Sequence, residues 1–301
     1  MIDFSCRHDV YIRHHDGSIL PMDVPHYEAK LVAPGTWQIM SCGDYHYLIA
    51  GDGEAVAVDT GYGAGDLRAY LEKLAGMPVR WVINTHCHFD HTANNGYFDK
   101  VFCGAEEADR LTVPFPSFAG IEFPKNENVQ VVGDGDVIPL RGRELEIFRI
   151  GDHSEGSIAI LDRKERLLFS GDEFIPGLKR IGNTVEKLER DMAKLLEHSD
   201  EFDRLCGGPE MFDAEEVRIY HEAAMKILAG EKSEGVQTHG EPPFGQQETY
   251  EGHTLYDWKF PRREDMNGGK GLPKRADDTE VFLYKGRKFV YKKDKIREIR
   301  D

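Results

Sequence analysis

The stretch Asn84–Phe98, NTHCHFDHTANNGYF, decides how the rest of the chain is read. His86, His88, Asp90 and His91 fall at i, i+2, i+4 and i+5. The chain holds only 13 histidines in 301 residues, so three within six positions mark a chemical concentration. On a loop leaving a strand, His86 and His88 face one side together and grip one ion. Asp90 and His91, opening the next helix, point to a neighbouring position. Imidazole nitrogens and a carboxylate are donors that zinc takes. Cys87 sits between two histidines, but an alternating stretch turns it away from them.

Working outward, Val79–Thr85 reads as a strand running into this cluster, and TANNGYF as a short helix after it. Upstream, Thr36–Met40, Tyr45–Ala50 and Ala55–Val58 are β-rich runs separated by the turn residues CGD and GDGE, which predicts an antiparallel meander. Asp66–Leu74 has helical spacing at Leu67, Leu71 and Leu74, with Asp66 as its N-cap. Downstream come a strand at KVFCG and a helix over Ala105–Leu111. Val113–Pro124, with three prolines and three phenylalanines, is a loop or lid whose aromatics either line a pocket or seal the core edge.

The second half opens with strands at Val129–Val132, Asp136–Leu140 and Glu144–Ile150. A hairpin follows, Ser157–Asp162 and Arg166–Gly171, turning at RKE. Val185–His198 and Ala214–Ala229 are amphipathic helices. Residues 1–230 form the expected main domain. Residues 231–301 are read as a C-terminal extension packed on it, poor in periodicity over Glu231–Glu280 and ending in a β-hairpin at Val281–Lys293 with Gly286 in the turn.

Bulk composition narrows the function classes. Hydrophobic residues make up 40% and charged residues 31%, as in an ordinary globular protein. A net charge of −16 repels phosphate backbones, so no nucleic-acid partner is expected. No apolar run reaches membrane-span length, and the N-terminus carries scattered charges where a signal peptide would have an apolar core. The expectation is a soluble, cytoplasmic protein with no membrane partner. Five widely spaced cysteines without a C-x-x-C pattern read as reduced thiols.

Three further stretches add donors. RIGDHSEGS offers His153, LLFSGDEF offers Asp172, and AVAVDTGYG offers Asp59, each at or just past a strand end. Alone each is weak, since a strand-terminal Asp is often a turn residue and a lone His is often structural. In this order, Asp59-Thr60-Gly61, then His86-x-His88-x-Asp90-His91, then His153, then Asp172, the pattern resembles the metallo-β-lactamase superfamily over roughly residues 30–230, in its glyoxalase II and lactonase-like branch.

That resemblance implies an α/β fold, a four-layer αββα sandwich of the metallo-β-lactamase type. It implies that His86, His88 and His153 hold one metal, that Asp90, His91 and a bridging Asp172 hold a second, and that Asp59 orients ligands from behind. Zn2+ is the implied cofactor, two per chain, with iron or manganese as alternatives. The family supplies one more histidine in a turn before a late helix. Here that turn is LCGGPEMFDAEE, with Gly208 or Pro209 in the histidine's place. His239 or His253 from the extension, or water, are the candidate replacements; His221 reads as a surface residue of the late helix.

Two divalent ions about 3.5–4 Å apart share a hydroxide of near-neutral pKa. By the resemblance, that metal-bound hydroxide attacks a carbonyl carbon or a phosphorus, with Asp90 orienting it and returning a proton to the leaving group. The histidine form of the motif points to hydrolysis over the oxygen chemistry of the family's H-x-E-x-D branch. The expected partner is a small-molecule substrate: a lactone, ester, thioester or amide. A phosphodiester hydrolase on the same two ions and a mononuclear iron dioxygenase acting on sulfur are the alternatives. A homodimer is left open. Tyr62, beside the Asp59 turn, is either an oxyanion donor or a structural hydroxyl.

Overall fold

A computed structural model describes residues 1–14, 16–115, 118–175, 177–208, 211–234, 248–257 and 279–298. The chain divides into two compact units. One comprises Met1–Phe102, Arg110–Gln130 and Gly240–Lys274; the other comprises Cys103–Asp109, Val131–His239 and Arg275–Asp301.

In the first unit, β1 (Val10–Arg13) and β2 (Ile19–Pro21) pair antiparallel. The main sheet has seven strands in chain order: β3 (Glu28–Ala33), β4 (Thr36–Ser41), β5 (Asp44–Ala50), β6 (Ala55–Val58), β7 (Val79–Ile83), β8 (Lys100–Cys103) and β9 (Val129–Val131). The predicted meander is β4 to β6. Ser41 pairs with Asp44, so Cys42 and Gly43 form a two-residue turn, both at positive φ (55° and 91°). That backbone matches the right-handed twist of the strands it joins.

From β6 the sheet turns parallel, through β7 to β8. All four residues of β6 are buried, as a strand covered on both faces requires. α1 (Leu67–Ala75) makes the crossover. The Asp66 carboxylate accepts from Ala69 N, and Gly76 closes the helix at φ 67°, as the sequence spacing predicts. α2 (Phe89–Thr92) opens on buried Phe89 and carries Asp90 and His91, and it ends at Thr92, where the expected TANNGYF helix begins. A separate 3-10 turn covers Asn95–Tyr97.

The second unit is built on a six-stranded sheet. Its strands are β10 (Val137–Leu140), β11 (Arg143–Arg149), β12 (Ile158–Asp162), β13 (Leu167–Phe169), β15 (Arg204–Cys206) and β16 (Met211–Asp213), in that spatial order. The β12–β13 hairpin is the predicted one. β14 (Leu178–Arg180) lies outside this sheet. α3 (Val185–Leu196), capped by the Thr184 hydroxyl accepting from Lys187 N, and α4 (Glu215–Leu228) bury Leu188, Met192, Leu195, Val217, Tyr220 and Ala224 in one cluster. The segment expected as a helix at Ala105–Leu111 is a 3-10 helix over Ala105–Arg110.

Residues 231–301, read above as one extension, contribute to both units. β17 (Glu248–Tyr250) and β18 (His253–Asp257) join the small sheet, where β18 runs parallel to β1. β19 (Thr279–Tyr284) and β20 (Arg287–Lys292) form the predicted hairpin. Lys285 and Gly286 turn it at φ 45° and 76°, and β20 pairs parallel with β14. Among the described residues, no helix is long and apolar enough to cross a membrane. None of the five cysteines, all among the described residues, is in a disulfide.

Candidate metal centre

The parallel pairing of β6 and β7 places Val58 beside Ile83, so Asp59 and Thr85 emerge side by side at the strand ends. Asp59 N donates to Ile83 O at 3.0 Å. Asp59 then adopts φ 60°, a left-handed turn that aspartate enters at lower cost than a branched residue. Its carboxylate is buried, with 3% of the residue exposed. One oxygen accepts from Thr85 N at 2.8 Å. The other accepts from the Thr85 hydroxyl at 2.7 Å and from His91 Nδ1 at 2.9 Å.

This network assigns tautomers. The Thr85 hydroxyl spends its one proton on Asp59, so its oxygen is the acceptor for His86 Nδ1, 3.0 Å away. His91 Nδ1 likewise donates to Asp59. Both rings therefore carry their proton on Nδ1, which leaves Nε2 as the donor lone pair toward a metal. His86 Nε2 lies 3.0 Å from His88 Nδ1. Two ligands on a tetrahedral zinc, with bonds of about 2.0–2.1 Å, sit roughly 3.4 Å apart. The pair is thus close to the spacing that one ion needs.

Backbone anchors hold the cluster in place. His91 O accepts from Thr60 N at 2.9 Å and from Asn84 Nδ2 at 3.0 Å. Thr92 Oγ1 donates to His88 O at 3.1 Å, and Asn94 Nδ2 to Thr60 O at 2.9 Å. Asp90 Oδ2 lies 3.8 Å from His91 Nε2. Below the turn, His46 is fully buried, and a Cβ on Gly61 (φ 58°) would stand 3.4 Å from its ring. Burial first and the neighbouring His91 second hold the His46 pKa down to about 3, so the ring is neutral.

Phe89, inside the motif, points away from the ligands and into the core. It meets Phe123, Phe118 and Phe115 with ring centroids 4.6, 5.0 and 5.4 Å apart, each edge to face. The aromatics of Val113–Pro124 thus seal a core that also holds Ile2, Phe4 and Tyr62. The Tyr62 hydroxyl donates to Cys42 O at 3.1 Å, which is a structural role.

The second unit carries the other two expected ligands. His153 lies in the loop after β11, where Ile150 N donates to Ser157 O at 2.9 Å. Asp172 lies in the 3-10 turn Gly171–Glu173 after β13. His153 Nε2 and Asp172 Oδ2 are 3.7 Å apart, both part-exposed. Buried Glu107 braces the first loop, accepting from Ser154 Oγ at 2.8 Å and Gly156 N at 2.7 Å. Next to the ligands, Glu173 and Lys179 are an ion pair at 1% and 2% exposure. Burial raises the Glu173 pKa to about 7, against the pull of Lys179. The carboxylates of Asp152 and Glu173 outweigh burial at Lys179 and keep it protonated.

The turn that lacks the family's last histidine is tight for a backbone reason. A Cβ on Gly207 would stand 2.8 Å from Gly171 O, so the chain after β15 lies directly on the Asp172 turn. Gly208 has no side chain to offer, and Pro209 lies outside the described residues. So does His239. His253 is exposed in β18, its ring 5.5 Å from that of Tyr11, and it joins no metal-capable donor group among the described residues. His221 pairs with Glu189 at 3.0 Å, as a helix-surface residue. Thr85 and Lys179 belong to no donor motif in the sequence. Thr85 is adjacent to the motif, which is the one local signal for it, whereas nothing local marks Lys179.

Asp59 and the His86–His91 cluster leave the strand ends of one mixed sheet, His153 and Asp172 leave those of a second, and sheets covered by helices make the class α/β. The model of the metallo-beta-lactamase superfamily matches residues 45–205, more than half of the chain, and the chain belongs to that superfamily. The human acyl-coenzyme A thioesterase MBLAC2 is 30% identical over 164 residues, covering 44% of this chain and 58% of that protein. The hydroxyacylglutathione hydrolase of Synechococcus sp. is 30% identical over 134 residues, covering 40% of this chain and 48% of that protein. The matches thus span about half the length of these relatives. The solved metallo-beta-lactamase from Pontibacter korlensis superposes with a TM-score of 0.54 at 15% identity, over 66% of this chain and 99% of that one. That likeness shows the fold, α/β of the metallo-β-lactamase type.

Proposed function

We propose that this chain is a metal-dependent hydrolase of a small carbonyl substrate, an acyl thioester foremost, with lactones and other esters as neighbours in the same chemistry. Thioester cleavage is the reaction named in the human relative. In this reading His86, His88 and His153 hold one divalent ion. Asp90, His91 and Asp172 hold a second, with Zn2+ the expected species at both. The net charge of −16 argues against a nucleic-acid substrate.

Bound divalent ions supply Lewis acidity and a water of lowered pKa. The chain's own residues do the rest. Asp59, through Thr85 and His91, keeps both Nδ1 positions protonated, so Nε2 stays directed at the ion. Asp90 is 9% exposed, close enough to solvent and to His91 to accept a proton from water and hand it to the leaving thiol. No serine or cysteine nucleophile is required.

The observation that carries the proposal is the buried Asp59 carboxylate bound by both Thr85 and His91. Such a charge, buried and spent on orienting two imidazoles, has its physical reason in a cation beyond them. The test is a substrate panel on purified, zinc-loaded protein: acyl thioesters, lactones, amides and phosphodiesters, with oxygen uptake followed in parallel. Thioester or lactone turnover that stops on chelation supports the reading. Phosphodiester cleavage alone, or oxygen uptake with one iron per chain, overturns it.

A further inference from the structure

β14 is three residues long and belongs to neither large sheet, yet its central residue is a buried lysine. Lys179 is 2% exposed. Its Nζ donates to Glu173 O at 3.1 Å and to the Glu173 carboxylate, and lies 2.7 Å from Asp152 Oδ2. Asp152 and Glu173 are both within 3% of full burial.

The two carboxylates are sequence neighbours of the two ligands in this unit. Asp152 precedes His153 and Glu173 follows Asp172. Each is also tied to backbone: Glu173 Oε2 accepts from His153 N at 3.1 Å, and Asp152 Oδ1 accepts from Asn183 N at 3.1 Å. The loop after β11 and the turn after β13 are therefore cross-linked behind His153 and Asp172. Lys179 is in turn held from the C-terminal hairpin, where β14 pairs with β20 and Lys179 sits opposite fully buried Phe289.

We infer that Lys179 is a positioning residue for the metal centre: by clamping Asp152 and Glu173 it sets the separation of His153 and Asp172. The inference rests on the ligand assignment proposed above. A buried cation flanked by two carboxylates is a poor stabiliser compared with apolar packing, so stability alone gives little reason for it. Geometry does. The ammonium fixes two loops at once, and its own place is fixed by a hairpin that starts 100 residues later in the chain.

The test uses the full chain, loaded with Zn2+ and separately with Co2+ as a spectroscopic probe. In Lys179→Met and Glu173→Gln, the zinc dissociation constant should rise at least about tenfold, and the cobalt absorption bands should shift. Leu195→Ala, a core change in α3, should lower the unfolding midpoint while leaving both readouts at wild-type values. If Lys179→Met does not fold, Glu173→Gln, which keeps side-chain size and removes the charge, decides the question. Wild-type affinity and wild-type cobalt bands in the folded variants overturn the inference and leave the ligand assignment standing. A wild-type chain that binds neither metal overturns both.

Discussion

Asp59 Oδ2 accepts a hydrogen bond from His91 Nδ1 at 2.9 Å and, at 2.7 Å, another from the Thr85 hydroxyl that also contacts His86. One buried carboxylate therefore orients two expected ligands. Asp59→Asn keeps a residue that tolerates φ 60° and removes the charge. It should weaken zinc binding by about 10–100-fold with little change in fold. Competition with a chromophoric chelator measures this; equal affinity in variant and wild type contradicts the orienting role.

Removing metal has a stability consequence as well as a catalytic one. A ligand present at 100 times its dissociation constant stabilises the folded state by about 2.7 kcal/mol. Chelation should therefore lower the unfolding midpoint and abolish hydrolysis together, and added Zn2+ should restore both. A midpoint indifferent to chelator and to zinc argues that the folded chain binds no ion.

Phe89 is 1% exposed and contacts three other phenylalanines. Phe89→Ala should cost about 3–5 kcal/mol, read from urea unfolding. It should also weaken zinc binding, because α2 carries Asp90 and His91 on the same turn. A loss below 1 kcal/mol would mean that the aromatic cluster does not anchor the motif.

His14 predicts an acid-sensitive step remote from the metal ligands. It is 2% exposed, its ring tilted against that of His26 with centroids 3.7 Å apart. Burial first and His26 second hold its pKa down to about 4, against Asp16. Unfolded histidine titrates near 6.5, so between those values the unfolded chain binds more protons. The stability from neutral His14 is complete above about pH 6.5 and is lost as pH falls toward 4, by up to about 1.4 kcal/mol per unit. His14→Gln should flatten unfolding free energy against pH across that window. An identical slope in the variant would exclude His14 as the source.

The sequence carried much of the fold where signals are local. Asp66 and Gly76 mark both ends of α1, the turn at Cys42-Gly43 follows from CGD, and the Val281–Lys293 hairpin follows from its alternation and Gly286. What it hid has physical reasons. β14, β15 and β16 are three residues each, too short for a period of two to register. β18 pairs with β1 from some 240 positions away, and no local pattern encodes a partner at that distance. The motif puts Asp90 and His91 at the opening of a helix, and α2 begins one residue before them, at Phe89. What no local pattern marks is the burial of Phe89 against Phe115, Phe118 and Phe123, which ties that turn to the core.

The candidate site divides the same way. His86, His88, Asp90 and His91 were legible because four donors share one short segment. Asp59, His153 and Asp172 were legible only through their order along the chain and the family pattern it resembles. Lys179 was invisible, since a lone lysine in GLKR reads as solvent-exposed and its burial depends on a hairpin far downstream.

The measurement that bears most directly on the central claim is zinc stoichiometry and affinity in His88→Ala, His153→Ala and the double variant, beside wild type. If the two histidines serve one ion, each single change removes the same equivalent, and the double change removes no more than either alone. Independent losses that add in the double variant, or full zinc content in either single variant, would contradict the shared centre.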